Sequence, residues 1–479
     1  MGINKIIALR PMTSGPPSRD ATGLAMASDV TLLFLALILS SCGPSPLPNR
    51  WVEPRPLAQA KPTWLPPIDD TTTASNSTPP NPPSIPASLT LRDAIALTLL
   101  HSPELAAFGW NVRVAEARVV QAGLGPNPRV IYNRNNLDGP DGGDLFEHQT
   151  VRLSQVIELA AKRDKRVAVA RATQRLRTWD YEDKRLELIS KMAQSHISVI
   201  AAQQRLALAQ RAVRLAENVY GIVSQRVEAG VAASAELDKA AVQSSLQHIG
   251  LARARERLIA ERTKLVSIWG GHLATFTHAV GALDDPLDVP EPGRLLQLAN
   301  EHPRIARWAD EIKQRQRAID LARAQATPDV TASAGVRHFP NADTDDVAAL
   351  VEISVPLPLV KRNQGRILEA RYQLAATRAK QKNAEALLHT EIRTAHSDLK
   401  SAIFTATTLR TQTLSSAHSA FDAAQNAFQN GKSDYLNVLD AERTLIEVER
   451  KLINARQDSQ SAATRLESLT AAPLERRLD

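Results

Sequence analysis

The segment 328–357 reads PDVTASAGVRHFPNADTDDVAALVEISVPL, and its alternation decides the fold. Val330, Ala332, Ala334 and Val336 alternate with Thr331, Ser333, Gly335 and Arg337. Beyond the turn signal Pro340-Asn341-Ala342-Asp343, Ala349, Val351, Ile353 and Val355 alternate with Leu350, Glu352 and Ser354. Successive side chains of a strand point to opposite faces, so each run has one apolar face and one mostly polar face. The segment predicts two strands, near 328–339 and 347–357. Each is close to the ~10 residues that a tilted membrane-barrel strand needs, and apolar-out, polar-in is the pattern of a barrel with a wet lumen. Hairpins packed on a soluble domain alternate in the same way, and the strands alone do not separate the two readings.

Working outward, the same grammar stands about 200 residues earlier. His101-Ser102-Pro103-Glu104-Leu105 matches Glu301-His302-Pro303-Arg304-Ile305, Pro128-Arg129-Val130 matches Pro328-Asp329-Val330, and Leu153-Ser154 matches Ile353-Ser354. Lys162-Arg163 matches Lys361-Arg362, and Gly230 matches Gly431, each one residue off that spacing. Five correspondences in one order mark a duplicated unit, placed here at 89–290 and 291–479.

In the first unit a helix over 89–123 stops at Pro126 and Pro128. Strands near 128–138 and 147–158 flank Asp138-Gly139-Pro140-Asp141-Gly142-Gly143. The stretch 160–229 has no proline and one glycine, Gly221. Along it Leu186, Ile189, Ala193, Ile197 and Ile200 step by three and four, a coiled-coil-like stripe. At 1.5 Å per residue this helix is about 100 Å long. It ends at Gly230, and a second helix returns over 234–269. The second unit predicts helices over 294–326, 362–430 and 434–470, with the turn at Gly431. Four strands cannot close a barrel, because the smallest membrane barrels use about eight. A spanning version is therefore an oligomer that pools strands.

The N-terminal part reads as an address. Val30 to Leu39, VTLLFLALIL, is too short to span a bilayer but suits a signal-peptide core. Leu39-Ser40-Ser41-Cys42 after it resembles the lipobox of bacterial lipoproteins. That resemblance implies a signal peptide over 1–41, cleavage before Cys42 and lipid on its thiol and new amino group. Gly43, where an Asp favours inner-membrane retention, points to the outer membrane. Residues 44–88 hold 13 of the 29 prolines, so 42–88 is read as a lipidated, extended tether.

Composition excludes several classes. Cys42 is the single cysteine, which rules out a disulfide framework or a cysteine metal cluster. No apolar run reaches the length of a spanning helix. The net charge of +7 is spread among Glu and Asp along helices rather than clustered with aromatics, so no nucleic-acid surface is expected. None of the 11 histidines belongs to a ligand cluster. His389 and His396 share a helix face but lie about 10 Å apart, too far for one metal, and are read as solvent- or tunnel-facing. There is no phosphate loop and no nucleophile motif. We expect no catalytic residue, metal site or cofactor.

The motifs also include Ala115-Glu116-Ala117-Arg118, Gly123-Leu124-Gly125-Pro126-Asn127-Pro128 and the run from Leu153 through Glu158-Leu159-Ala160-Ala161 to Lys162-Arg163. Val355-Pro356-Leu357-Pro358-Leu359 and Arg362-Asn363-Gln364-Gly365 complete the set. With these the sequence resembles the outer-membrane factor family typified by the TolC channel, over about 89–470. Within it the chain is most similar to the heavy-metal branch, which serves cobalt–zinc–cadmium and copper–silver exporters. Ala160-Ala161 stand where that branch suggests two glycines.

The resemblance implies a mostly α chain with a membrane β-barrel: a homotrimer with a 12-stranded barrel on an α-helical periplasmic tunnel. It further implies an adaptor (membrane fusion) protein capping the tunnel mouth and an inner-membrane RND pump behind it. The channel itself is a passive conduit. The adaptor-contacting turns fall on Gly230, Val231, Gly431 and Lys432. The family's acidic pore-entrance pair falls on Asn437 and Asp440, of which only Asp440 is acidic. An acidic latch residue falls on Glu236, and its basic partner on Ser433, which cannot pair. Two alternatives stand beside heavy-metal export: a channel for organic toxic compounds or drugs in the same family, and a lipid-anchored periplasmic coiled-coil scaffold. The duplicated strand–helix grammar speaks against the scaffold.

Overall fold

The computed structural model describes residues 87–138, 144–283, 289–340 and 345–473; Cys42 and nearly all of the Pro-rich stretch lie outside them. In chain order the elements are β1 (Ser88–Thr90), α1 (Leu91–His101), α2 (Pro103–Gly123), β2 (Arg129–Asp138), β3 (Asp144–Ile157), α3 (Lys162–Glu228) and α4 (Ser234–Ser267). There follow β4 (His278–Val280), α5 (Pro292–Ala299), α6 (Pro303–Ala324), β5 (Val330–Pro340), β6 (Asp345–Ser354), α7 (Gln364–Thr408), a π turn (Leu409–Thr413), α8 (Leu414–Gln429) and α9 (Tyr435–Thr470). No described helix is long and apolar enough to cross a membrane. Two compact units result, and both halves of the sequence contribute to each.

One unit, Arg113–Arg175 with Glu311–Thr377, contains a four-stranded sheet in the order β2-β3-β5-β6. Every pairing is antiparallel, and Val151 stands opposite Val336 while Ala334 stands opposite Val351. The register places Val130, Val151, Val336, Val351 and Ile353 on one face, where Val130, Val351 and Ile353 are 74%, 63% and 63% exposed, while Ile131, Val156 and Leu350 fall on the mostly polar face. The polar face is the shaded one, with Thr150, Ser154 and Ser333 at 3%, 8% and 6%. Such shading within a single sheet is what curling toward the polar side produces, since side chains on a concave face crowd one another. A water-soluble sheet does the opposite and hides its apolar face.

The loops under this sheet are pinned by charge. Asp329 accepts from Lys162 Nζ at 2.5 Å and from the Leu159 amide at 3.0 Å. Arg166 grips both carboxylate oxygens of Glu158. Ala160 and Ala161, in the place of the expected glycines, both take left-handed backbone at φ 56° and 52°. For a residue with a Cβ that costs about 1–2 kcal/mol. The matching position before α7 is Asn363, φ 59°, a residue that tolerates this conformation and donates from its amide to the Ala322 carbonyl at 2.6 Å.

The other unit comprises Leu176–Asp310 and Arg378–Asp479 with the stretch ending at Val112. The single helices expected over 89–123 and 294–326 are each two. Proline removes an amide and disfavours helix in the residue before it, so the breaks fall at Ser102 and His302, before Pro103 and Pro303. Ser102 Oγ accepts from the Leu105 amide, and His302 Nδ1 accepts from the Arg304 amide, so each break is capped. The short parallel pair β1–β4 has no counterpart in the sequence reading. The stripe along α3 is incomplete as read. Ala193, Ile197 and Ile200 are buried, but so are Leu188, Met192 and Val199 beside them, while Leu186 and Ile189 are only half-buried.

The duplication continues into the core. Leu188 and Leu388, Met192 and Ile392, Val199 and Leu399 are all buried and each pair is 200 residues apart. His196 and His396 keep the same spacing and make the same kind of bond. Nε2 donates to the Leu89 carbonyl at 3.2 Å in one and to the Pro290 carbonyl at 3.1 Å in the other. His396 therefore fastens an incoming chain segment rather than facing solvent or a tunnel. Further along, Ala216 and Ala417 are both buried but 201 apart, as are Gly230 and Gly431. One residue has been added in the second repeat, and the π turn Leu409–Thr413 lies within that interval. A π turn is how an α-helix accommodates one extra residue without losing its face.

Candidate functional site: two helical hairpin tips

The turns singled out from the sequence share one backbone. Gly230 has φ 73°; its amide bonds the Val227 carbonyl at 3.0 Å, and the Val231 amide bonds the Arg226 carbonyl at 2.9 Å. Gly431 has φ 70°, with the Phe428 carbonyl at 3.0 Å and the Lys432 amide on the Ala427 carbonyl at 2.8 Å. Both are Schellman ends, which require a left-handed residue after the helix. Nothing lies within 4 Å of where a Cβ would sit on either glycine, so conformation rather than space requires glycine.

The returning helices begin at Ser234 and Tyr435, after Ala233 and Asp434, neither of which caps through its side chain. Glu236 and Asn437 are each third in their helix, with amides on the Ala233 and Asp434 carbonyls at 2.9 and 3.2 Å. They occupy the same place in the two tips. Glu236 is half-buried and forms no ion pair among the described residues, and the partly buried Ser433 leaves its hydroxyl without a partner. Asn437 and Asp440, one turn apart on α9, are both exposed, as are Val231, Lys432 and Leu436.

Several residues that organise the tips were not singled out from the sequence. The Arg226 guanidinium lies 4.4 Å above the Phe428 ring and donates to the Phe428 carbonyl. It thereby ties the end of α3 to the end of α8. The Phe428 ring meets Tyr435 at 6.2 Å, and Val219, Val223, Phe421 and Val438 complete the core. Burial pushes the Tyr435 hydroxyl up to about 12. Glu442 is fully buried and neither carboxylate oxygen meets a donor. Burial raises its carboxyl above the ordinary range, against the smaller opposing effects of Gln243 and Arg443. Arg226 and Phe428 stand four and three residues before their tip glycines, a spacing visible in the sequence once the tips are paired. No group of three or more potential ligands able to hold a metal occurs among the described residues.

A sheet that exposes its apolar face and shades its polar one, and long helices that turn back at open tips, are the parts of a membrane conduit. The chain belongs to the outer membrane efflux protein family, whose model matches residues 94–271 and 295–472. It is a conduit of the outer membrane and not an enzyme. It is 28% identical to the cobalt-zinc-cadmium resistance protein CzcC of Cupriavidus metallidurans over 83% of this chain and 93% of that one. It is 27% identical to the pyoverdine export outer membrane protein OpmQ of Pseudomonas aeruginosa, over 72% of this chain and 77% of that one. Among solved structures it shares the fold of the channel protein CusC with a TM-score of 0.69, at 17% identity, over 80% of this chain and 92% of that one.

Proposed function

We propose that three copies of this chain close a 12-stranded barrel in the outer membrane and form the exit conduit of a tripartite efflux pump for heavy-metal cations. The outward apolar face of β2, β3, β5 and β6 carries this reading, because four strands so oriented need lipid on one side and further strands at both edges. The similarity to CzcC over nearly its whole length supports the metal cargo. The similarity to OpmQ keeps a second reading, an organic cargo, in view. The tips at Gly230, Val231, Gly431 and Lys432 receive a periplasmic adaptor, behind which stands an RND-type pump. Cys42 carries the lipid, and the chain over 42–88 tethers it. Asp440 supplies one carboxylate per chain to the tunnel mouth. The domain division at 290 and 291 follows the repeat.

The test is made on protein purified from outer membranes. An unheated sample should migrate apart from the boiled monomer, and the mature mass should begin at a lipidated Cys42. Deletion of the gene should sensitise cells to divalent metal cations. Identical migration with and without heating would sink the barrel, an unmodified terminus would sink the anchor, and unchanged metal tolerance would favour the organic cargo.

A further inference from the structure

The polar face of the sheet carries charge that the entrance reading does not use. Arg152 and Glu352 stand at the same place in the two repeats with opposite sign. They lie on β3 and β6, which are not neighbours, since β5 runs between them. The guanidinium nevertheless reaches across, with Nη1 at 2.5 Å from Glu352 Oε2. It can do so because β5 presents only Gly335 opposite Arg152 and Ser333 opposite Glu352. A Cβ on Gly335 would come within 2.7 Å of both Cα and Cβ of Arg152. Next along the same face, Arg337 donates from Nε to Thr150 Oγ1 at 3.1 Å and forms no ion pair among the described residues. Alternation places Arg129 on this face as well. Among strand residues with described side chains, the face therefore holds Arg129, Arg152 and Arg337 against Glu352 alone.

We propose that Arg152, Arg337 and Glu352 form a net-positive girdle on the lumen wall that acts as a second selectivity element, favouring small anions independently of Asp440. This rests on the trimeric-barrel reading, in which three chains repeat the cluster at one level. Wall charges act over the Debye length, about 8 Å at physiological salt, and lipid behind the wall focuses their field into the lumen. Charges that line a pore set which ions it prefers.

The experiment measures reversal potentials of purified trimers in planar bilayers under a potassium chloride gradient. Arg337→Gln should shift the potential toward potassium and Glu352→Gln toward chloride, so the two must move in opposite directions. The double variant Arg152→Glu with Glu352→Arg keeps both the pair and the net charge and should match the parent. Should Glu352→Gln fail to assemble, Arg337→Gln still decides, because it breaks no ion pair. Unchanged potentials, or shifts of one sign, would overturn the girdle. Absence of any conductance from the unaltered protein would instead overturn the barrel reading on which it rests.

Discussion

The two hairpin tips have one backbone and two chemistries. Both end in a glycine of nearly the same φ, 73° and 70°, with the same pair of amide–carbonyl bonds. Their side chains differ at matched places. The third helical residue is Glu236 in one and Asn437 in the other. The first tip supplies Arg226, and the second supplies the Phe428 ring and carbonyl that receive it. Farther from the tips the exchange recurs: Glu217 on α3 faces His248 on α4 at 3.2 Å, whereas His418 on α8 faces Glu449 on α9 at 3.8 Å. Turn geometry favours glycine and is duplicated. Side chains on the helices diverge freely, so long as each acquires a complement.

Removing the link between the tips should have the largest effect. Arg226→Ala deletes a charge-assisted hydrogen bond and a cation–π contact, together about 2–3 kcal/mol. Amide exchange around Phe428 and Lys432 should accelerate, with little change in the sheet. Uniform acceleration across the chain would mean that Arg226 supports the whole fold instead.

Next come the glycines. Gly230→Val and Gly431→Val should each cost about 1–2 kcal/mol, because only the left-handed backbone opposes them. Thermal melts should show equal losses. If metal resistance then falls with one variant only, that tip makes the more demanding adaptor contact. Unequal melts would show that the two backbones are less alike than their dihedral angles indicate.

A smaller effect separates the tips by pH. Glu442 has a raised carboxyl, and the residue 201 earlier is Ala241, which cannot titrate. A raised acid binds its proton more tightly when folded, so its contribution is intact below the unfolded value of 4.5 and is lost as pH rises toward the folded value. Glu442→Gln should therefore stabilise the protein at pH 8 more than at pH 5. Equal gains at both would show that the carboxyl is not protonated in the fold.

The smallest effect on stability, though not on transport, is expected at the mouth. Asp440→Asn should lower cation preference and weaken block by multivalent cations in single-channel recordings, and Glu236→Gln should do less. Unchanged block in Asp440→Asn removes that carboxylate from the ion path.

Much of the fold was legible because its determinants are periodic or local. Alternation gave β5 and β6, the repeat and the turn signal at 138–143 gave β2 and β3, and the run without proline from 160 gave α3 to within two residues. The tip glycines were legible because glycine adopts the left-handed backbone of a helix end at the least cost. What escaped depends on contacts distant in sequence. Leu89 and Ala279 pair in β1–β4 across nearly the whole first repeat, and three-residue strands carry no period of their own. Arg226 reads as one more basic residue on a helix until Phe428 is brought beneath it. Glu442 reads as a solvated charge, since its burial is set by the helices packed around it. At the candidate site, sequence located the tips but not the residues that join them.

The π turn Leu409–Thr413 bears on how such sequences should be compared at all. An extra residue in a straight helix rotates everything beyond it by about 100°. Because the turn absorbs that rotation, the inserted residue is invisible in the hairpin it precedes. An alignment that forbids gaps inside helices would hold the 200-residue spacing and match the exposed Asp440 to Ala240, which is 1% exposed. Allowing one gap within 409–413 matches it to Lys239, which is exposed like Asp440. In this chain an extra residue is accommodated inside a long helix rather than in a loop, and residue assignments at the second tip depend on finding it.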